Sequence, residues 1–82
     1  MHYYIRGNFV EPDGLMGRRA ELYVERTPRG VVHVETGAVL QAVRVIESWG
    51  SYMRISSADV GWGFCPDGGE CERVGMPIEV VH

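Results

Sequence analysis

Residues 36–64 read TGAVLQAVRVIESWGSYMRISSADVGWGF, and this stretch decides the fold of the chain. Three largely apolar segments, residues 38–47, 51–57 and 60–65, are separated by short turns that carry Gly, Ser or Asp. Apolar runs of this length between turn residues are typical of β-strands. The first segment is apolar on both faces, which predicts a central strand or one that curls so that each end faces the core.

The composition of the whole chain favours the same fold class. The 82 residues are 45% apolar and 23% charged, which is ordinary for one small globular domain. Val occurs 12 times, against four Ala and three Leu. Because branching at Cβ restricts χ1 and suits a pleated strand better than a helix, this imbalance predicts an all-β protein.

Seven short strands are predicted along the chain, with little or no helix beyond a single turn near Leu15. They cover residues 3–10, 20–26, 31–35, 38–47, 51–57, 60–65 and 78–81. The sequence EPDG at residues 11–14 is a strong turn signal, and residues 15–19 form the longest irregular loop. Gly7 predicts a bulge or a close backbone approach. We expect an antiparallel meander that closes into a small barrel, since closure removes exposed sheet edges.

Residues 21–64 carry a family resemblance. The residues concerned are a first strand at Leu22-Tyr23-Val24, the glycine Gly37, the valines Val43 and Val45, the pair Tyr52 and Ile55, and the closing dipeptide Gly61-Trp62. In this pattern the chain resembles the bacterial SH3-like domain, which implies an SH3-like barrel. Members of that family are commonly appended to exported cell-wall enzymes, whereas this chain has a longer gap after Gly37 and shows no export signal.

Charge and hydropathy restrict the classes of partner. The net charge of −3 argues against a general nucleic-acid binder, which needs an excess of cations. No apolar run approaches the roughly 20 residues that span a bilayer. The opening sequence MHYYIRGN lacks the basic and apolar regions of a signal peptide. We therefore expect a cytoplasmic protein with no membrane partner.

Two cysteines are separated by five residues. Cys65 and Cys71 flank the turn sequence PDGGE, so a hairpin there would place them nearly opposite each other. Two reduced thiols are expected in the cytosol, and a disulfide is the alternative in an oxidising compartment. A metal site would need two further ligands, which His2, His33 and His82 do not supply in any recognised spacing. The sequence therefore predicts no metal and no cofactor.

Catalysis is not expected either. His33 is predicted on the polar side of a hairpin strand, and nothing in the sequence suggests a group that would lower the pKa of a nearby thiol. A small barrel also lacks a second layer to enclose a reaction site.

The aromatic and arginine residues are the best candidates for function. Trp and Tyr contribute large rigid contact areas to protein interfaces, and a Trp in a two-residue turn is expected to be exposed. Trp62 and Phe64 are expected to fill the core instead. The predicted partner-binding residues are Trp49, Tyr52, Tyr23, Arg18, Arg19 and Arg29.

These features predict a non-catalytic protein-binding module. A short chain of this kind would suit a small inhibitor or adaptor, for example one encoded by a phage or mobile element that blocks a larger host protein complex. The alternative is an SH3-like nucleic-acid-binding protein that uses Arg18 and Arg19 of the predicted loop at residues 15–19 together with an aromatic face. A homodimer is also plausible, since small sheets often bury an edge strand against a second copy.

Overall fold

The computed structural model describes residues 1–47, 50–59 and 61–81. Within them lie seven strands and one helix: β1 His2–Val10, β2 Met16–Thr27, β3 Gly30–His33, β4 Gln41–Glu47, β5 Gly50–Ser56, β6 Gly63–Pro66, α1 Glu70–Arg73 and β7 Ile78–Val81. The predicted all-β class is confirmed. In the described part of the chain, no helix has the length and apolar character needed to cross a membrane.

The strands form one mixed sheet in the order β3-β2-β1-β6-β5-β4-β7. All neighbours are antiparallel except β4 and β7, which run parallel. A single antiparallel meander is therefore the wrong topology: β1-β2-β3 and β6-β5-β4 are two meanders joined side by side. They join because the second half of β1, residues 7–10, pairs with β6 as well as with β2. Among the described residues the sheet is not closed into a barrel.

One isolated contact links the β3 edge to the chain just before β4. Val32 and Val39 form an antiparallel bridge. Beside it, the Leu40 N–H donates to the Val31 carbonyl oxygen over 2.8 Å. The His33 N–H also donates to the Ala38 carbonyl oxygen over 2.9 Å, so in the described part of the chain this link is one β-bridge and not a continuous strand pairing.

The β1–β2 turn lies where the sequence predicted it, but the irregular loop after it is largely strand. The Glu11 N–H donates to the Leu15 carbonyl oxygen over 2.9 Å, which closes the turn tightly. Strand pairing resumes at once, and β2 begins at Met16. Arg18 and Arg19 are therefore strand residues and not members of a loop.

A short helix replaces the hairpin that was predicted after β6. Gly69 has a φ of 82°, a left-handed conformation that glycine adopts without strain, and it leads directly into α1. Three residues of α1 and of the segment after it, Cys71, Val74 and Met76, are buried and belong to the core. These side chains cover one end of the core.

The core lies on the inner face of the sheet and draws on nearly every element. Its buried members are Ile5, Leu22, Val24, Val31, Leu40, Ala42, Ile55, Phe64, Cys71, Val74 and Met76. Leu22 and Val24 alternate with exposed neighbours on β2, as the period of two in the sequence predicted. The opposite face of β5 is free to line a surface cavity.

Candidate binding cavity

An open cavity of about 1050 Å³ lies between the β1–β2 turn and the outer face of β5. Side chains on a strand alternate between its two faces. Tyr52, Arg54 and Ser56 of β5 line the cavity, whereas Ile55 lies in the core. The cavity is therefore built on the sheet itself, and residues of the β1–β2 turn, together with residues 57–59 and Gly61, complete it.

Aromatic side chains form the apolar part of the cavity. The ring of Phe9 meets the ring of Trp62 edge to face at 5.9 Å between centroids, and both residues line the cavity. Phe9 also contacts the buried ring of Phe64 at 5.5 Å. Because Phe9 and Trp62 pack against the core and are only partly buried, they are held in place while part of their surface stays open.

Behind Trp62 lies a buried histidine. The His33 ring meets the Trp62 ring edge to face at 5.5 Å. Its Nδ1 atom lies 3.0 Å from Oγ1 of Thr36, which satisfies one ring nitrogen. The prediction that His33 lies on the polar side of its strand is wrong, since its neighbour Val34 is the exposed residue. His33 supports the position of Trp62 and does not line the cavity.

Two arginines line the same cavity. The guanidinium carbon of Arg18 lies 4.8 Å from the centroid of the Phe9 ring, within the range of a cation–π contact. Arg54 is half-buried, and its side chain crosses Gly63: a Cβ on that glycine would lie 2.9 Å from Cδ of Arg54. The absence of a side chain at Gly63 thus leaves the space that Arg54 occupies.

The charged side chains that line the cavity form no ion pairs with one another among the described residues. Glu11 and Asp59 also line it, both exposed. Among the described residues, no ion pair joins either carboxylate to Arg18 or Arg54. The Nε atom of Arg54 is shielded from solvent and has no hydrogen-bond partner there. Buried donors are nearly always bonded, so an unpaired one calls for an explanation.

Two of the predicted partner-binding residues come together in this cavity. Tyr52 is 39% exposed and lines it together with Arg18. Trp49, the third aromatic of the prediction, lies outside the described residues.

Tyr23 belongs to a different surface. Its ring stacks on that of Tyr4 at 4.8 Å and on that of His2 at 5.1 Å, on the outer face of β1 and β2. Tyr4 and Tyr23 are direct cross-strand partners, which accounts for the stack. This face is separate from the cavity, since none of the three residues lines it.

The other two predicted arginines also lie elsewhere. Arg19 donates from Nη1 and Nη2 to the two carboxylate oxygens of Asp67, over 2.7 and 2.8 Å. This bidentate pair ties β2 to the turn after β6 and occupies the Arg19 fork. Arg29 is exposed in the β2–β3 turn, where its backbone N–H donates to Oγ1 of Thr27 over 3.2 Å. The three predicted arginines, Arg18, Arg19 and Arg29, therefore lie in three different places.

The two cysteines are free thiols in different elements. Cys65 lies half-buried on β6, and Cys71 lies fully buried on α1. Burial, with smaller contributions from Glu72 and Glu70, raises the pKa of the Cys71 thiol to about 11. Burial also raises the pKa of Cys65. A disulfide in an oxidising compartment stays a prediction, but the hairpin expected to align the two residues is absent from this described segment. No group of three His, Cys, Asp or Glu side chains suited to a metal occurs among the described residues.

Sequence reasoning missed Arg54 and Phe9 as cavity residues. Arg54 lies two residues after Tyr52 in an apolar strand pattern and therefore on the same face of the strand, which is a signal that could have found it.

Comparison of the chain with protein-family models, with curated proteins and with solved structures found no match. The resemblance to the bacterial SH3-like domain therefore stays a prediction.

Proposed function

We propose that this chain is a non-catalytic protein-binding module and that it acts as a small adaptor or as an inhibitor of a larger protein complex. The observation that carries the proposal is the open cavity in which Phe9, Tyr52 and Trp62 lie beside Arg18 and Arg54. Aromatic and arginine side chains provide most of the binding energy at protein interfaces. A cavity that combines them on a rigid sheet suits the capture of a partner surface.

A binding role also fits the position of the groups that could carry out chemistry. The two thiols have raised pKa values, which disfavours the nucleophilic thiolate. His33 is buried behind Trp62, and none of these three groups lines the cavity.

We propose further that the scaffold is an SH3-like barrel. The bridge between Val32 and Val39 supports this proposal, because it brings the β3 edge to the start of β4. Cytoplasmic location, phage or mobile-element origin and formation of a homodimer belong to the same proposal.

Nucleic-acid binding is the second candidate. The observation that favours it is the contact of Arg18 with Phe9 beside Trp62, since aromatic stacking and cations are the means by which proteins hold single strands. The net charge of −3 and the carboxylates of Glu11 and Asp59 in the same cavity oppose a polyanion. Protein binding is therefore the better supported function.

The test is affinity capture from a lysate of the organism that encodes the chain, with Tyr52→Ala as the cavity variant. We expect the wild-type protein to retain a partner in stoichiometric amount. Loss of an aromatic contact at an interface typically weakens binding by roughly tenfold or more. Tyr52→Ala should therefore reduce the recovered partner accordingly.

Tyr4→Ala is the matched control, because Tyr4 is an exposed tyrosine on the separate face of β1. It should retain the partner as the wild type does. Light scattering on the purified chain would separate a homodimer from a monomer. Isolation of the chain without any partner would contradict the proposal. A salt-sensitive shift of a single-stranded oligonucleotide, abolished by Arg18→Gln, would support the nucleic-acid candidate instead.

A further inference from the structure

We infer that the cavity takes a segment of a partner protein that presents a carboxylate next to an apolar or aromatic side chain. This inference rests on the proposed function and specifies the chemistry of the partner. Arg54 would hold the carboxylate, with Arg18 as a second cation of the same cavity lining, while Phe9 and Trp62 would pack against the apolar neighbour.

Arg54 is the centre of the inference because its guanidinium has no acceptor in the described residues. By contrast, Arg6, Arg19 and Arg73 each form an ion pair with a carboxylate of the chain itself. Arg54 is more buried than those exposed residues, and its Nε–H is both shielded and unbonded. An incoming carboxylate, reached by a small shift of the side chain, would supply the missing acceptor. Hydrogen bonds between ionised groups are among the strongest in proteins.

Arg18 provides the second set of donors. Its guanidinium lies over the Phe9 ring and within no ion pair of the described residues. A guanidinium that stacks on a ring keeps its in-plane N–H groups available, and these form a fork that matches a carboxylate. Stacking also restricts the side chain, so less conformational entropy is lost when it binds.

The size of the cavity favours a chain segment over a single small molecule. Pockets for small molecules typically enclose roughly 300–1,000 Å³. This cavity, at about 1050 Å³, lies slightly above that range and is open, with Pro12 and Tyr52 both in its lining. A segment of several residues can therefore enter with an apolar side chain against Trp62.

The distribution of charge favours one carboxylate over a polyphosphate. Glu11 and Asp59 are exposed and line the same cavity as Arg18 and Arg54, so cations and anions are equal in number. A nucleic acid would bring several phosphates to a surface that carries two carboxylates on a chain of net charge −3.

The inference is tested by selection of a displayed library of random dodecapeptides on the folded protein. We expect the enriched peptides to contain Asp or Glu beside an aliphatic or aromatic residue. Synthetic copies of these peptides, measured by isothermal titration, provide the affinities. Removal of a hydrogen-bonded charge contact should weaken their binding by roughly tenfold or more in Arg54→Gln.

Arg44→Gln is the charge-matched control. Arg44 is exposed on the neighbouring strand β4 and does not line the cavity, so its replacement removes the same charge without touching the site. It should change the affinity by less than about twofold, consistent with a distant exposed charge. Arg54→Lys keeps the charge and the aliphatic packing but removes the fork, and it should also weaken binding.

Three results would overturn the inference: no enriched peptides, enriched peptides that lack an acidic residue, or equal effects of Arg54→Gln and Arg44→Gln. Its failure is distinguishable from failure of the proposed function. A partner captured from the lysate whose recovery does not change in Arg54→Gln would leave the protein-binding function standing and remove the role of the carboxylate. Preferential binding of an oligonucleotide over the peptides would remove both.

Discussion

Gly7 marks the closest approach between β1 and β6. It is paired with Ala20 on one side and Pro66 on the other. A Cβ at this position would clash with the carbonyl oxygen of Cys65 and would lie 2.8 Å from Cε1 of Phe64. The φ angle of Gly7 is not positive, so its requirement is for space and not for an unusual conformation.

We predict that Gly7→Ala lowers the free energy of unfolding by about 3 kcal/mol or more, because backbone atoms of β6 cannot move aside as a flexible side chain would. Urea unfolding followed by circular dichroism measures the loss. Gly68→Ala is the control, since no atom lies within 4 Å of a Cβ there and its φ is not positive. Gly68→Ala should be neutral or stabilise by up to about 1 kcal/mol. Equal effects of the two substitutions would contradict the close approach.

The sequence predicted part of the candidate site at this scale. Tyr52 and Arg18 were selected by residue type, and both line the cavity. Arg54 and Gly63 were not selected, because their contact depends on which residues face each other across strands. Gly63 is paired with Ser56 on β5 and with Val10 on β1. Such registers are set by long-range packing and are not encoded in local spacing.

The short helix α1 is attached to β1 by hydrogen bonds, although the sequence pattern there indicated only a turn. The carboxylate of Glu70 accepts hydrogen bonds from the Arg6 backbone N–H over 3.2 Å and from Nη2 of Arg73 over 3.1 Å. Asp67 accepts from Arg19, and its N–H donates to the Arg6 carbonyl oxygen over 2.9 Å. A helix of one turn has little stability of its own, so these contacts with β1 and β2 explain why it forms.

We predict that stability falls in acid because of these two carboxylates. The hydrogen bond from Arg19 lowers the pKa of Asp67, and that from Arg73 lowers the pKa of Glu70. With a folded pKa below the unfolded value, each group stabilises the protein above its unfolded pKa of roughly 4. That contribution is lost as pH falls below this value, since the unfolded chain then binds more protons.

Urea unfolding between about pH 3 and pH 7 measures this dependence. The double variant Asp67→Asn with Glu70→Gln should show a shallower loss in acid than the wild type. Asp67 is exposed and Glu70 is partly exposed to solvent, so added salt should reduce the difference. An equally steep acid loss in the variant would show that other groups are responsible.

At the scale of the whole molecule, the seven strands were predictable but their order was not. Alternating apolar residues and turn signals locate strands because both are local properties. The pairing of β1 with β6 and the parallel pairing of β4 with β7 join segments far apart in sequence. Burial of a common core decides which strands pair. No local sequence pattern specifies those pairing partners.

Phe64 is the residue that holds the two meanders together. It is fully buried and is paired with Phe9 on β1 and with Ile55 on β5. We predict that Phe64→Leu lowers the free energy of unfolding by about 1–2 kcal/mol. This loss is a large share of the roughly 4–12 kcal/mol expected for 82 residues. Both meanders should be destabilised together, since they share one core.

The measurement is urea unfolding of Phe64→Leu followed by far-ultraviolet circular dichroism for the sheet and by tryptophan fluorescence, to which both Trp49 and Trp62 contribute. A single cooperative unit requires that the two transitions coincide in the wild type and shift together in the variant. Tyr52→Leu replaces an exposed aromatic of the same sheet and should change stability by less than about 0.5 kcal/mol. Separate midpoints for the two signals would show that the halves unfold independently, and Phe64 would then stabilise only one of them.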